Sequence, residues 1–205
     1  MKVVIINGSP RKDGNTSIAI EEMEKVFKEN GIEYETYLVG NKNIRGCIGC
    51  GSCRRSGRCA FNDIVNEVAI SFEKADGLVV ATPVYYASPN GTLVAFLDRL
   101  FFSSKFDKTM KVGASVVCAR RGGLSATFDM LNKYFTISQM PIVSSNYWNS
   151  IHGGAAGEAV ADEEGRQTMR ILAENMAFLM KSIELGKKEI GMPRQEQKLF
   201  TNFIR

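Results

Sequence analysis

The stretch that most constrains this chain is its beginning, Lys2-Val-Val-Ile-Ile-Asn-Gly-Ser-Pro-Arg-Lys-Asp-Gly-Asn-Thr-Ser17. Val3 to Ile6 is apolar at every position, which suits a central parallel strand covered on both faces. Gly8, Ser9, Pro10, Asp13 and Gly14 then end the strand and turn the backbone. Asn15, Thr16 and Ser17 stand where a helix begins, with capping side chains and free backbone N–H groups. Strand, small-residue loop and helix N-terminus together suit a phosphate dianion. The plainer alternative is an ordinary capped strand–turn–helix. Three hydroxyl or amide side chains converging with Arg11 favour the anion site.

Gly-Lys-Ser/Thr is absent, which argues against a triphosphate loop, and so is Gly-x-Gly-x-x-Gly, which argues against a dinucleotide fingerprint. Asn7 in place of an Asp pair argues against a phosphoacceptor domain. A loop rich in Ser, Thr and Asn suits a mononucleotide phosphate, and FMN is the leading candidate. The net charge of +4 is too mild to imply nucleic acid, yet it suits anionic ligands such as FMN or NAD(P)H. No apolar run approaches the ~20 residues that span a bilayer, so no membrane is expected and the expected address is cytoplasmic. With 205 residues, one α/β domain over 1–187 and a polar tail over 188–205 is the simplest partition.

Further along, periodicity predicts a helix over 17–30 and a strand over 32–39. A helix capped by Asn62 or Asp63 follows, then a strand over 77–83 and a helix over 91–102. A strand over 112–118, a helix from Leu124 to Phe135 and a fifth strand over 141–147 come next. A glycine-rich loop over 148–161 precedes the last helix, which begins near Asp162 and stops near Gly186-Lys187-Lys188. The helix over 91–102 is apolar on more than one face, which hints at a partner subunit. Alternating strands and helices specify a three-layer α/β arrangement. It has a five-stranded parallel sheet in the order 2-1-3-4-5, with helices on both faces. In such a sheet the ligand sits at the carboxyl ends of the first and third strands, from which both unusual loops depart.

The second of these loops, Pro83-Val-Tyr-Tyr-Ala-Ser88, offers backbone donors and acceptors for the polar edge of an isoalloxazine ring. Val84, Tyr85 and Tyr86 offer apolar surface for its faces; alternatively the tyrosines simply cap the sheet edge. A third loop, Ala119 to Gly123, allows close backbone approach at Gly122 and Gly123. Arg120 or Arg121 can meet the flavin edge or a dinucleotide phosphate, unless both are merely solvated.

Five cysteines occur. Cys47, Cys50, Cys53 and Cys59, within a loop over 46–60, follow the spacing Cys-x2-Cys-x2-Cys-x5-Cys. That spacing resembles ferredoxin-type runs that hold a [4Fe-4S] cluster. Zinc is the second reading and metal-free, partly reactive thiols the third. Arg45, Arg54, Arg55 and Arg58 are placed to offset the charge of thiolates. Cys118, alone in an apolar strand, reads as a buried inert thiol.

The motifs Gly8-Ser-Pro-Arg with Gly-Asn-Thr-Ser17, Cys47-Ile-Gly-Cys-Gly-Ser-Cys with Cys59, Thr82-Pro-Val-Tyr-Tyr86 and Leu97-Asp-Arg-Leu100 resemble the NADPH-dependent FMN reductase family. Within it they are similar to the iron–sulfur flavoprotein branch, as are Tyr147-Trp148, His152-Gly153, Asp162-Glu-Glu-Gly165 and Asn175-Met-Ala-Phe178. The resemblance implies a flavodoxin-like fold, FMN bound without a covalent bond, and a homodimer or homotetramer. By motif match Ser9, Arg11, Asn15, Thr16 and Ser17 hold the phosphate, while Pro83, Val84, Tyr85, Tyr86 and Ser88 hold the ring. Asn62-Asp63 departs from the Asp pair often found in that branch.

The expectation is therefore an FMN-dependent oxidoreductase with a small-molecule electron donor and acceptor, NAD(P)H being the transient donor. Tyr85 or Tyr86 is a candidate proton donor, and His152 reads as a solvent-exposed loop residue. A relay between larger partners, and a thiol-based metal or redox sensor, are the competing readings.

Overall fold

In a computed structural model that describes residues 1–203, six strands and six α-helices alternate through the chain. The strands are β1 (Lys2–Asn7), β2 (Glu33–Leu38), β3 (Gly77–Tyr85), β4 (Ser88–Pro89), β5 (Val112–Ala119) and β6 (Ser150–His152). The helices are α1 (Asn15–Glu29), α2 (Cys53–Ser56), α3 (Ile64–Lys74), α4 (Gly91–Ser103), α5 (Leu124–Thr136) and α6 (Glu163–Glu189).

The sheet runs β2-β1-β3-β5-β6, every neighbour parallel. β4 stands apart, folded back antiparallel on the end of β3. With that two-residue arm set aside, the order is the expected 2-1-3-4-5. Alternation along each strand divides the core between two faces. Val3, Ile5, Val79 and Ala114 pack beneath α1 and α6 with Met23, Phe27, Leu172 and Met176. Val4, Ile6, Leu78 and Val80 pack beneath α3, α4 and α5 with Phe72, Phe96, Leu97 and Phe135. The apolar breadth of α4 is largely absorbed inside the chain: Phe101 meets Phe72 and Tyr134, and Phe102 alone of its large side chains is exposed.

The fifth parallel strand lies elsewhere than expected. Of residues 141–147, only Ile142 bridges to β5, opposite Gly113. The chain then leaves the sheet: the Ser145 hydroxyl donates to the Thr168 carbonyl and the Asn149 amide to Val143 O. Pairing resumes where Ser150–His152 lies beside Val117–Ala119, inside the segment expected to be a loop. That segment also holds a short 3-10 turn over Glu158–Ala161.

Helix α6 ends at Glu189, next to the expected stop at Gly186-Lys187-Lys188, its first turn capped by Asp162, which accepts from Gly165 N. Residues 190–203 of the expected tail form no helix or strand; positions 204 and 205 lie outside the described residues. Among the described residues no helix is long and apolar enough to cross a membrane.

Candidate functional site

The carboxyl edge of the sheet holds a cleft of about 660 Å³, counted out to its open mouth. Ser9, Pro10, Arg11, Gly14, Asn15 and Thr16 from the β1–α1 loop form one side, and Pro83, Val84 and Tyr85 from β3 form another. Cys118, Ala119 and Arg120 from β5, with Gly153 and Gly154 after β6, complete it. Two loops far apart in sequence thus meet around one hollow at the switch point of the sheet.

Asn7 organises this corner. Its carbonyl oxygen Oδ1 accepts from Ser9 N at 2.9 Å and its amide donates to the Ser17 hydroxyl at 3.2 Å. Its backbone carbonyl accepts from Val39 N and Gly40 N, while Gly8 N donates to Ala81 O, so β2, β1 and β3 are tied at their carboxyl ends. Gly40 is required by close approach: a Cβ there would fall 2.1 Å from the Gly8 carbonyl oxygen.

The helix N-terminus differs from the expectation in one instructive way. Its N-cap is Gly14, with no side-chain cap and no acidic residue in the first turn. Ser17 N donates to Gly14 O, and the Asn15 and Thr16 amides, with the positive end of the helix dipole, are left for an anion. Asn15 does not cap. Its side chain crosses to the loop after β6, donating to Ala155 O at 2.8 Å and accepting from Ala159 N at 3.0 Å. Gly153 packs so closely on that amide that a Cβ would lie 2.5 Å from Asn15 Nδ2. Glu158 folds the same loop, accepting from Gly154 N at 2.7 Å and Ala155 N at 2.8 Å. The Ala155 and Gly154 amides hold its carboxyl below the usual range.

Thr16, 1% exposed, directs its hydroxyl to the Cys118 thiol. Burial pushes that thiol up to about 12, so it stays neutral at the cleft floor, as expected of an inert cysteine. Ser9 Oγ accepts from Arg11 N at 3.1 Å, which leaves its hydroxyl proton for a ligand, and the Arg11 side chain is exposed at the mouth.

Five expected residues do not line the cleft. The Ser17 hydroxyl donates to Lys12 O. Tyr86 is fully exposed, and Ser88 sits in β4 with its hydroxyl on Met130 Sδ. Arg121 and Gly122 are exposed beyond Arg120. The expected loop Pro83–Ser88 is in fact a hairpin whose two-residue tip, Tyr86 and Ala87, has φ of 50° and 56°. Positive φ at both central positions belongs to a type I′ turn, which ordinarily selects Asn-Gly, so this tip is strained. Thr82 braces its base, accepting from Asn90 N, and Asn90 caps α4 by accepting from Thr92 N. His152 is exposed as expected but lies on β6, with its Nδ1 3.4 Å from Asp162.

The four clustered cysteines form a second site. Cys47, Cys50, Cys53 and Cys59 all border one small apolar hollow with Phe61, Arg99, Phe102 and Ser103. Cys53 is buried at the start of α2, Cys47 and Cys50 are exposed, and all are free thiols. Among the described residues no three are drawn together tightly enough to hold a metal ion. The residue types nevertheless suit a thiolate-held cluster: four cysteines line one hollow, and the buried Ser103 hydroxyl on its border makes no hydrogen bond.

Arg99 is the residue the sequence reading did not single out here. It is 1% exposed, and its Nε donates to Cys59 Sγ at 3.2 Å. Its two terminal nitrogens grip the Asp63 carboxylate at 2.7 and 2.8 Å, and Nη1 also donates to Arg45 O at 3.1 Å. Burial disfavours its charge, but the Asp63 and Cys59 bonds more than offset that and hold it ionised. Asp63 also caps α3, accepting from Val65 N. Arg54, Arg55 and Arg58, expected to offset thiolate charge, are exposed and do not border the hollow. A charged residue on the apolar stripe of α4, between Phe96 and Ser103, was the available signal.

The profile of the NADPH-dependent FMN reductase family matches residues 1–155. An iron–sulfur flavoprotein of Methanocaldococcus jannaschii is 33% identical over 192 residues, covering 90% of this chain and all of its own. An iron–sulfur flavoprotein of Methanosarcina thermophila is also 33% identical over 192 residues, covering 91% of this chain and 99% of its own. The solved structure of RosB with a bound 8-demethyl-8-formylriboflavin-5′-phosphate intermediate superposes with a TM-score of 0.70 at 15% identity. The match covers 100% of this chain and 94% of that one.

Proposed function

Because the chain belongs to the NADPH-dependent FMN reductase family, in its iron–sulfur flavoprotein branch, we propose that it holds FMN in the cleft between β1 and β3. It is an oxidoreductase, and the proposed reaction moves electrons from NAD(P)H to a small quinone-, nitro- or flavin-like acceptor. The observation that carries this reading is the meeting of the Ser9–Thr16 loop and the Pro83–Tyr85 strand end around one cleft, beside an uncapped helix N-terminus.

In this reading the Asn15 and Thr16 amides at the start of α1 and the Ser9 hydroxyl donate to the phosphate, the Thr16 hydroxyl turns from the Cys118 thiol to join them, and Arg11 closes over it. Pro83 and Val84 form a flat apolar wall for the ring, and Tyr85 flanks the mouth. Arg120 stands at the entrance, where a dinucleotide phosphate arrives. Asn15 acts at one remove by holding the 153–158 loop against the helix start. When bound, FMN supplies the hydride-accepting and electron-releasing chemistry; the protein positions it and excludes competing reactions.

A second reading is favoured by the cysteine hollow. Cys47, Cys50, Cys53 and Cys59 would hold a [4Fe-4S] cluster, which supplies a one-electron exit, and the protein would then relay electrons without a small acceptor of its own. Exposed Phe178 and Leu185 on α6, and Leu199, Phe200 and Phe203 beyond it, are apolar surface that a second copy would cover in the proposed homodimer or homotetramer. Five unpaired cysteines support a reducing, cytoplasmic address.

The test is anaerobic purification followed by an optical spectrum, iron and sulfide analysis, and steady-state oxidation of NADPH. Flavin absorbance with turnover on a small quinone supports the reductase. Protein that stays colourless in excess FMN refutes the cleft assignment. Flavin and iron together, without turnover on any small acceptor, favour the relay.

A further inference from the structure

We propose that Ser103 and Arg99 are positioning residues that set the reduction potential of a cluster held by the four cysteines, by donating hydrogen bonds to its sulfurs. This rests on the cluster reading above. The two residues stand one helical turn apart on the same face of α4, and both border the cysteine hollow.

Ser103 has no partner without a sulfur, and Arg99 has an N–H left over after its ion pair. Arg99 is fully charged yet 1% exposed, and its fork is already engaged by Asp63. Its remaining Nε–H is aimed at Cys59 Sγ at 3.2 Å. Cys59 is held in place for it: Asn66 on α3 accepts from the Cys59 amide and donates to its carbonyl, at 3.0 and 3.1 Å. Ser103 Oγ is the buried side-chain oxygen that makes no hydrogen bond among the described residues. A buried hydroxyl left so is costly, and α4 could have bonded it back to a carbonyl, as Ser104 does with Leu100 O at 2.6 Å. It borders the hollow that the four cysteines line instead.

The consequence is electrostatic. Reduction by one electron, supplied in the proposed reaction by the flavin, forms and breaks no bond; it adds one negative charge that spreads over the ligating sulfurs. A fixed N–H or O–H donor stabilises that added charge more than it stabilises the oxidised state. Two donors and a buried cation therefore raise the potential, which is a known lever on iron–sulfur centres.

The experiment compares wild type, Ser103→Ala, Ser103→Thr and Arg99→Lys, each reconstituted anaerobically with iron and sulfide. Readouts are metal content per chain and an electrochemical titration of cluster and flavin in the same sample. Ser103→Ala is expected to bind the wild-type amount of iron and to show a more negative cluster midpoint. The expected size is a tenfold change in the reduced-to-oxidised ratio, about 59 mV for one electron. Ser103→Thr, which keeps the hydroxyl, returns the midpoint toward wild type. Arg99→Lys, which loses the Nε–H, shifts it in the same direction as Ser103→Ala, and the flavin midpoint stays where it was in all three.

An unchanged cluster midpoint in Ser103→Ala overturns the proposal. Equal loss of iron from Ser103→Ala and Ser103→Thr also overturns it, by making the position one of packing. Wild-type protein that takes up flavin but no iron fails earlier: it removes the cluster itself and leaves the FMN assignment standing.

Discussion

Replacing Asn15 by Ala separates two roles that the position could have at the proposed flavin site. Had Asn15 been a phosphate ligand alone, its loss would weaken FMN binding and leave the empty protein as stable as before. The structure gives it a different task. Its side chain makes two hydrogen bonds to the loop after β6, to Ala155 O and from Ala159 N, and the latter amide is buried. Losing the net contribution of about 1 kcal/mol from the Ala155 bond, and stranding the Ala159 N–H at about 1–3 kcal/mol, gives a total of about 2–4 kcal/mol. For a chain of this size that is a fall in Tm on the order of 10 °C. The assay is thermal and urea unfolding of flavin-stripped wild type and Asn15→Ala, with FMN titrated into both. Asn15→Asp is the control: it keeps the acceptor for Ala159 N but places a negative charge at the helix start. It should therefore lose less stability and more FMN affinity than Asn15→Ala. Flavin-stripped Asn15→Ala melting within a degree or two of wild type would refute the reasoning.

Thr16→Ala should weaken FMN binding by about 1–3 kcal/mol through one lost charge-assisted hydrogen bond, read by quenching of flavin fluorescence; unchanged affinity would move the phosphate elsewhere. Gly40→Ala should destabilise by about 3 kcal/mol or more, since the new Cβ would meet the Gly8 carbonyl oxygen at 2.1 Å and neither backbone can yield; an unaltered urea midpoint would contradict that contact. Glu22 is buried between α1 and α6. Although burial alone would raise its pKa, hydrogen bonds from Lys25, Arg170 and Arg166 pull it from 4.5 down to about 2. A depressed carboxylate contributes stability above its unfolded pKa and loses it as pH falls. Glu22→Gln should therefore be less stable than wild type at pH 7, with the gap closing between about pH 4.5 and pH 2; a gap that persists to pH 2 would remove the ion network as its source.

Where local pattern and tertiary demand coincide, the fold was legible. The unbroken apolar runs at Val3–Ile6 and Leu78–Ala81 are the two central strands, and Asp63 caps α3 as its residue type suggested. β6 was not legible, because three residues are too few for a periodic signal. The more β-like segment at 141–147 touches the sheet only at Ile142. Asn15 looked like a cap because it is Asn at a helix start, yet its partners, Ala155 and Ala159, are distant in sequence. The glycine-rich loop they belong to carries no local mark of that contact. The cysteine spacing drew attention to sulfur, but the buried cation beside it comes from α4, whose Arg99 reads as an ordinary polar residue until Asp63 is seen opposite.

Arg99 touches both Arg45 O and Asp63, the residues on either side of the segment 46–62. One side chain therefore moors both ends of that segment to α4, and the sheet receives no strain from what lies between. With the ends fixed, doubling the intervening length costs only about 0.6 kcal/mol in closure entropy. The cysteine segment is thus built as an exchangeable cassette: its spacing can be re-cut, or its metal chemistry swapped, while the flavodoxin-like scaffold folds as before.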